Sequence, residues 1–156
     1  MMHPAFFYHL LFRITRPAIQ KLIGRIEDQV MTWHGLGSFP HPMGGKAFFF
    51  HETEIGHIHW NGNLDIVFGR ELTSELLALD RIQRHRFVPE RAITFPVLKN
   101  EDIFLAISLL RFSYLLQLRN TYDDILMMET YMDEEMVKLP GDLKKILAYP
   151  DALKHG

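Results

Sequence analysis

The chain has 156 residues, of which 47% are hydrophobic and 23% charged, so its composition fits one globular domain with a substantial core. Its net charge of -2 lacks the basic surplus that nucleic-acid-binding proteins usually carry, and we expect no nucleic-acid partner. The absence of cysteine excludes disulfides, thiolate catalysis and cysteine zinc sites, and it favours a cytoplasmic location.

The first elements along the chain are predicted to be helical. The apolar run AFFYHLLF has no basic residue before it and is too short to span a membrane, so we expect a short N-terminal helix within residues 1–16. An amphipathic helix follows from Thr15, because apolar residues recur at three- and four-residue steps at Ile19, Leu22, Ile23, Ile26 and Val30. The segment 34–45, HGLGSFPHPMGG, is rich in turn-forming residues, and we expect it to break this helix.

The middle of the chain predicts strands and a buried helix. Strand patterns occur in KAFFFH, EIGHIHW and LDIVF and, after a leucine-rich helix at 71–82, in AITFPVL (92–98). Residues 101–119 are apolar almost all round, which is typical of a buried central helix. We therefore predict an α+β fold in which an antiparallel sheet of about four strands packs against helices on one face, with a C-terminal helical extension. The expected units are a single domain at 1–119 and a helical tail at 120–156.

A hairpin within EIGHIHWNGNLDIVF places several polar residues together. Because side chains alternate across a strand, His57 and His59 share one face. A three-residue turn at 61–63 pairs His59 with Asp65 and sorts the apolar residues onto the other face, whereas a two-residue turn mixes the two faces. We therefore predict that His57, His59 and Asp65 project from the same face of the sheet.

Two interpretations of this cluster remain open. Two histidines and a carboxylate are able to bind a divalent metal ion, with His57 and His59 as the expected ligands, although the identity of any cofactor is unknown. Alternatively, Asp65 orients His59 by hydrogen bonding and the rings line a half-polar surface. His85, between Arg84 and Arg86, is a third candidate imidazole or an anion contact, although a solvated loop is the more usual account of such a run. Arg111 in the central helix needs a carboxylate or a bound anion, and a structural ion pair is the favoured account.

The ordered motifs also resemble a known family. Trp33, the Gly44-Gly45 pair, EIGHIH followed by Asp65, Arg70, His85 and LLRFSYL (109–115) together resemble the luciferase-domain family. The resemblance covers about residues 26–119 and implies an α+β domain. It also implies that this chain keeps the polar pattern of the family at His57, His59, Asp65, His85 and Arg111.

We expect a small-molecule-binding protein that uses the histidine and carboxylate cluster on a sheet face, and an enzymatic role for the cluster is left open. The candidate catalytic residues are His57, His59, Asp65 and His85, and the candidate ligand-binding residues are Glu54, Arg70, Arg111 and Tyr114. The alternative is a non-catalytic interaction protein with structural histidines, whose C-terminal helix binds a partner or a second subunit.

The C-terminal tail contains the sequence pattern that predicts such a partner. Within residues 121–137, one predicted helix face is apolar and rich in methionine, and the opposite face carries Asp124, Glu134 and Glu135. Methionine is well suited to adaptable interfaces, so a homodimer through residues 121–137 is the narrowly preferred expectation. We expect no membrane span.

Overall fold

The part of the chain described by this computed structural model, residues 4, 10, 11, 16–121 and 126–147, contains five helices and six strands. The helices are α1 (Pro17–Val30), α2 (Arg70–Leu76), α3 (Asp102–Thr121), α4 (Leu126–Val137) and α5 (Gly141–Leu147). The strands are β1 (Leu36–Pro40), β2 (Gly45–Phe50), β3 (Thr53–His59), β4 (Asn63–Val67), β5 (Gln83–Arg84) and β6 (Ala92–Pro96). The N-terminal helix expected within residues 1–16 falls mainly outside the described residues.

The six strands form one antiparallel sheet in the order β1-β2-β3-β4-β6-β5. The α+β class is therefore confirmed, but the sheet is larger than the predicted four strands. β1 forms within the segment that was expected only to turn, where Phe39 pairs with Ala47 and packs edge-on against Phe49 at 5.7 Å between ring centres. β5 has only two residues, which is too short for strand alternation to be visible in a sequence.

Helices cover one face of the sheet. α3 packs against β3 and β4, and α1 packs against α3. The covered face buries Ile58, Leu64 and Ile66. Gly56 permits the close approach, because a Cβ atom there would lie 2.9 Å from the side chain of Leu110 in α3. Since side chains alternate along a strand, the neighbouring histidines of β3 project from the opposite face, which we call the open face.

α3 is the central helix that the sequence predicted. It is buried along most of its length, and its buried residues include polar ones such as Ser108, Arg111 and Ser113. The amphipathic pattern of α1 is likewise confirmed, because the residues at its predicted apolar positions are the ones that are buried. Within the described ranges, none of the helices combines the length and the apolar character that crossing a membrane requires.

The C-terminal helix α4 packs on α3 of the same chain, and α5 packs on α2. Arg111 donates from Nε to Glu135 Oε2 of α4 at 2.9 Å, and its guanidinium lies over the ring of Trp33. Glu135 was predicted to lie on an exposed polar face, but it is buried because it neutralises Arg111. Met132 and Met136 pack against the core, while Tyr122, Ile125 and the side chain of Met128, also part of the predicted apolar face, fall outside the described residues. The favoured account of Arg111, a structural ion pair, therefore agrees with this geometry.

Replacing Glu135 with glutamine is expected to lower the free energy of unfolding by about 3 kcal/mol, because Arg111 would keep a buried charge without its carboxylate. Urea denaturation followed by circular dichroism measures the change. Glu134→Gln on the same helix is the matched control, since Glu134 is exposed, and it should change the free energy by less than about 0.5 kcal/mol. Equal losses in the two variants would show that the ion pair does not hold α4 on α3.

Candidate functional site

The hairpin of β3 and β4 brings the histidines and Asp65 together on the open face. His57 lies opposite Asp65, and Ile58 lies opposite Leu64. The predicted register, with His59 opposite Asp65, is therefore wrong by two residues, although the assignment of faces is unchanged. The turn occupies residues 60–62 because Gly62, with φ of +93°, supplies the left-handed conformation that was expected of Asn63.

Asp65 is the centre of a cluster of imidazoles. Its Oδ2 atom lies 3.2 Å from His59 Nε2, 3.5 Å from His85 Nε2 and 3.6 Å from His57 Nε2. The hydroxyl of Thr94, on the adjacent strand β6, donates to the other carboxylate oxygen, Oδ1. Asp65 itself is 6% exposed. The carboxylate is therefore fixed on one side by Thr94 and faces three ring nitrogens on the other.

Two of the imidazoles also form a hydrogen bond to an oxygen atom through the ring nitrogen that does not face Asp65. His57 Nδ1 donates to Glu54 Oε1 at 2.6 Å, and His59 Nδ1 donates to the carbonyl of Gly44 at 3.1 Å. Each of these rings therefore has one nitrogen facing an acceptor and the other nitrogen facing Asp65. A neutral imidazole carries only one proton, so the second nitrogen needs either a further proton or another cation.

His85 and His41 have the reverse arrangement. Nδ1 of His85 accepts the backbone N–H groups of Phe87 and Val88, each at 3.2 Å. Nδ1 of His41 accepts the N–H of Met43 at 3.3 Å. Because these Nδ1 atoms are acceptors, the proton of each neutral ring resides on Nε2. Both rings are therefore set up as donors through Nε2.

His41 is a member of the cluster that sequence reasoning missed. Its ring stacks on His57 at 4.0 Å between centres and meets the ring of His59 edge-on at 5.0 Å. In the sequence it is an isolated histidine between two prolines, in a segment that gave no strand pattern. Only the pairing of β1 and β2 brings the residue that follows β1 close to β3. Thr94 was missed for a similar reason, because it depends on which strand lies beside β4.

The Gly44-Gly45 pair allows the backbone to reach His59. Gly45 has φ of +133° and pairs with His59, and a Cβ atom at Gly45 would lie 2.1 Å from the carbonyl oxygen of Ile58. Only glycine fits such a close approach of β2 to β3. The carbonyl of Gly44 consequently reaches the ring of His59, which fixes its orientation.

Burial and the charges in the cluster together lower the pKa of Asp65, raise that of His57 and lower that of His41. Burial opposes ionisation of Asp65, but hydrogen bonds with His57, His59 and Thr94 hold its pKa well below the usual range. Burial also disfavours the charged form of His57, but Asp65 and Glu54 outweigh it and raise the pKa of His57 to about 9. Burial and the positive charges of His57 and His59 lower the pKa of His41 to about 4. At neutral pH, His57 is therefore protonated, Asp65 is ionised and His41 is neutral.

The remaining candidate residues are not all at this cluster. Glu54 belongs to it through His57. Arg111 and Tyr114 lie in α3 on the covered side of the sheet, where the hydroxyl of Tyr114 donates to the carbonyl of His34. Arg70 is exposed and pairs with Glu90 at 2.8 Å. The structure therefore brings together Glu54, His57, His59, Asp65 and His85, and it gives Arg70, Arg111 and Tyr114 other partners.

The cluster has the donor set of a metal site. One ligand atom from each of His41, His57 and His59 lies within 4.8 Å of the others. Asp65 adds a carboxylate oxygen at 3.2 and 3.6 Å from the Nε2 atoms of His59 and His57. Imidazole nitrogen combined with carboxylate oxygen suits zinc and other divalent transition metals. With a proton instead of a metal ion, the same groups are able to perform general acid-base chemistry.

Comparisons with known proteins find one family model that is similar to part of the chain. Residues 52–113 match the family model described as the luciferase domain. The resemblance predicted from the sequence is confirmed over this segment, which is shorter than the expected 26–119 and contains Glu54, His57, His59, Asp65 and His85. Comparisons with curated proteins and with solved structures gave no match.

In chelator-treated protein, NMR titration of the histidine rings should give His57 a pKa near 9, well above its ordinary value of 6.5. Because this pKa is raised by folding, the stabilisation is fully present below about pH 6.5 and is lost as the pH rises towards 9. Glu54→Gln should lower the midpoint by about one pH unit, since it removes one of the two carboxylates.

His34→Gln is the control for this titration, because His34 is exposed and its side chain is replaced without touching the cluster. It should leave the midpoint of His57 unchanged. A midpoint for His57 near 6.5 in the wild-type protein would contradict the arrangement of the two carboxylates around the ring.

Proposed function

We propose that this protein binds a divalent transition metal ion through His57 Nε2, His59 Nε2 and Asp65 Oδ2, and that the ion binds a small molecule on the open face. The spacing of the donor atoms carries this proposal. Ligand atoms at about 2.1 Å from one ion are about 3.0 Å apart at right angles and about 3.6 Å apart at 120°. The separations of 3.2 and 3.6 Å between Asp65 and the two imidazoles fall within this range.

The hydrogen bonds that the three proposed ligands make with neighbouring residues support the same assignment. Histidine ligands in proteins usually donate their second N–H to a carboxylate or a carbonyl, which fixes the tautomer and leaves a lone pair for the metal. Glu54 does this for His57, and Gly44 does it for His59. Thr94 fixes Asp65 Oδ1 and thereby leaves Oδ2 for the ion. All three proposed ligands therefore have a fixed orientation.

His41 and His85 are better suited to contact the bound molecule than to bind the ion. Their Nδ1 atoms accept backbone N–H groups, so each neutral ring presents a protonated Nε2. Such N–H groups donate to oxygen atoms of a molecule bound beside them. His41 remains the rival third ligand, because its ligand atom lies within 4.8 Å of those of His57 and His59. The experiment below therefore compares His41 with Asp65.

The ligand chemistry narrows the range of metal ions. Two imidazoles and one carboxylate favour zinc, iron(II), cobalt or nickel over calcium and magnesium, which prefer oxygen ligands. Three protein ligands leave coordination positions open for water or a small molecule. An ion held in this way supplies Lewis acidity at those open positions.

Isothermal titration of chelator-treated protein with Zn(II) and Co(II) is expected to show one site per chain. Asp65→Asn and His59→Gln should each weaken binding by more than about 100-fold, because each removes a direct ligand. Glu54→Gln should weaken it by about tenfold, since it removes only the support of His57. Circular dichroism confirms that each variant is folded.

Two variants serve as controls in this titration. His34→Gln, at an exposed histidine away from the cluster, should bind the ions as the wild type does. His41→Gln should weaken binding by less than about tenfold if Asp65 is the third ligand. If Asp65→Asn binds as tightly as the wild type, the proposed centre is wrong.

The alternative is a non-catalytic interaction protein with structural histidines. It is favoured by the mutual satisfaction of the cluster, because His57 bridges Glu54 and Asp65 without any added ion. This alternative expects metal ions to bind no better to the wild type than to Asp65→Asn. A homodimer through residues 121–137 also stays a prediction, and light scattering of the full chain measures the molar mass that decides it.

A further inference from the structure

A loop beside the histidine cluster exposes apolar side chains. This loop, residues 84–91 with the sequence RHRFVPER, joins β5 to β6 and is called the basic loop below. Phe87 is 72% exposed and Val88 is 45% exposed. On the neighbouring strand β4, Val67 is also 65% exposed and pairs with Ala92 at the end of the loop. Large apolar side chains grouped in this way mark an interaction surface.

Arginines surround these apolar side chains. Arg84 donates to the carbonyl of Pro89 at 3.2 Å, and the guanidinium of Arg86 lies 5.5 Å from the centre of the Phe87 ring. Arg91 ends the loop and is exposed. The one acidic residue of the loop, Glu90, pairs with Arg70 outside it. The basic loop is therefore positively charged around an apolar tip.

The tip has a fixed shape. His85 Nδ1 accepts the N–H groups of both Phe87 and Val88, and the N–H of Arg91 donates to the carbonyl of Val88. These hydrogen bonds close the turn and hold the ring of Phe87 away from the core. Because the backbone of the turn is already ordered, little backbone entropy is lost when a partner buries its apolar side chains.

We propose that the basic loop binds the surface of a bilayer containing anionic lipids, with Phe87 and Val88 entering the interface and the arginines contacting the headgroups. Aromatic side chains enter the boundary between headgroups and acyl chains, and nearby arginines are attracted to anionic lipids. A protein partner fits less well, because stable protein interfaces bury about 800 Å² on each side and this tip is a single turn. His85 belongs to both the loop and the cluster, so docking brings the open face beside the headgroups.

Vesicle sedimentation tests this proposal with the full chain. The wild type should sediment with vesicles of phosphatidylcholine and phosphatidylserine and stay in solution with phosphatidylcholine alone. Phe87→Ser should lower the partition coefficient by about tenfold, because the main apolar contact is lost. Arg86→Ala should lower it by about fivefold, and high salt should weaken binding of the wild type further.

Matched control variants lie on the other side of the molecule. Phe104→Ser removes an aromatic side chain of α3 that is 65% exposed, and Arg119→Ala removes an exposed arginine near the end of the same helix. Both should sediment with the anionic vesicles as the wild type does, and circular dichroism confirms that every variant is folded.

Three results would overturn the proposal. The first is no sedimentation of the wild type, and the second is equal sedimentation with neutral and anionic vesicles. The third is a loss for Phe104→Ser as large as the loss for Phe87→Ser. If the first result is accompanied by binding of the full chain to soluble polyaspartate, the basic loop favours an acidic polymer rather than a bilayer.

Discussion

The buried carboxylate of Asp65 is the constraint on which the arrangement of the open face depends. A charge that is 6% exposed persists only where hydrogen bonds and opposite charges compensate its loss of water. Thr94 serves one oxygen, while the other faces three imidazoles at 3.2 to 3.6 Å. One oxygen has too few lone-pair directions to accept three strong hydrogen bonds at once. A metal ion bound by the carboxylate and two of the rings would relieve the crowding, because one ion accepts several ligands.

The same hairpin builds both the core and the cluster. Along β3, Ile58 faces α3 while His57 and His59 face outwards, and along β4 Leu64 and Ile66 alternate with Asp65 in the same way. The positions of the imidazoles are therefore set by the packing of the apolar residues between them. A site on paired strands is held more precisely than a site on loops. Glu54 supports His57 from the same strand, whereas the carbonyl of Gly44 reaches His59 from the start of the neighbouring strand β2.

The sequence was sufficient for the fold class, because helical and strand periodicities both appear in it, and strand alternation was sufficient for the face of the sheet that carries the polar residues. It was insufficient for the exact register, since Asn63 and Gly62 are both able to adopt the left-handed conformation and the chain uses Gly62. β1 was missed because its glycine and proline residues resemble a turn, and the loss of β1 also hid His41. Thr94 and His41 join the cluster through contacts between distant strands. Periodicity describes one segment at a time and contains no information about such neighbours.

Two of the buried groups of charges in this molecule are the pair of Arg111 and Glu135 and the cluster around Asp65. They differ in whether the protein alone compensates every charge. The pair of Arg111 and Glu135 is closed, because Trp33 covers the guanidinium and Lys138 contacts the second oxygen of the carboxylate. Around Asp65, by contrast, two rings face acceptors at both nitrogens, so each ring needs either a second proton or a metal ion. Burial of charge alone consequently does not distinguish a structural ion pair from a binding site. The two groups differ in the protons that they need: the ion pair is complete with its own charges, whereas the cluster is complete only when a second proton or a metal ion is bound.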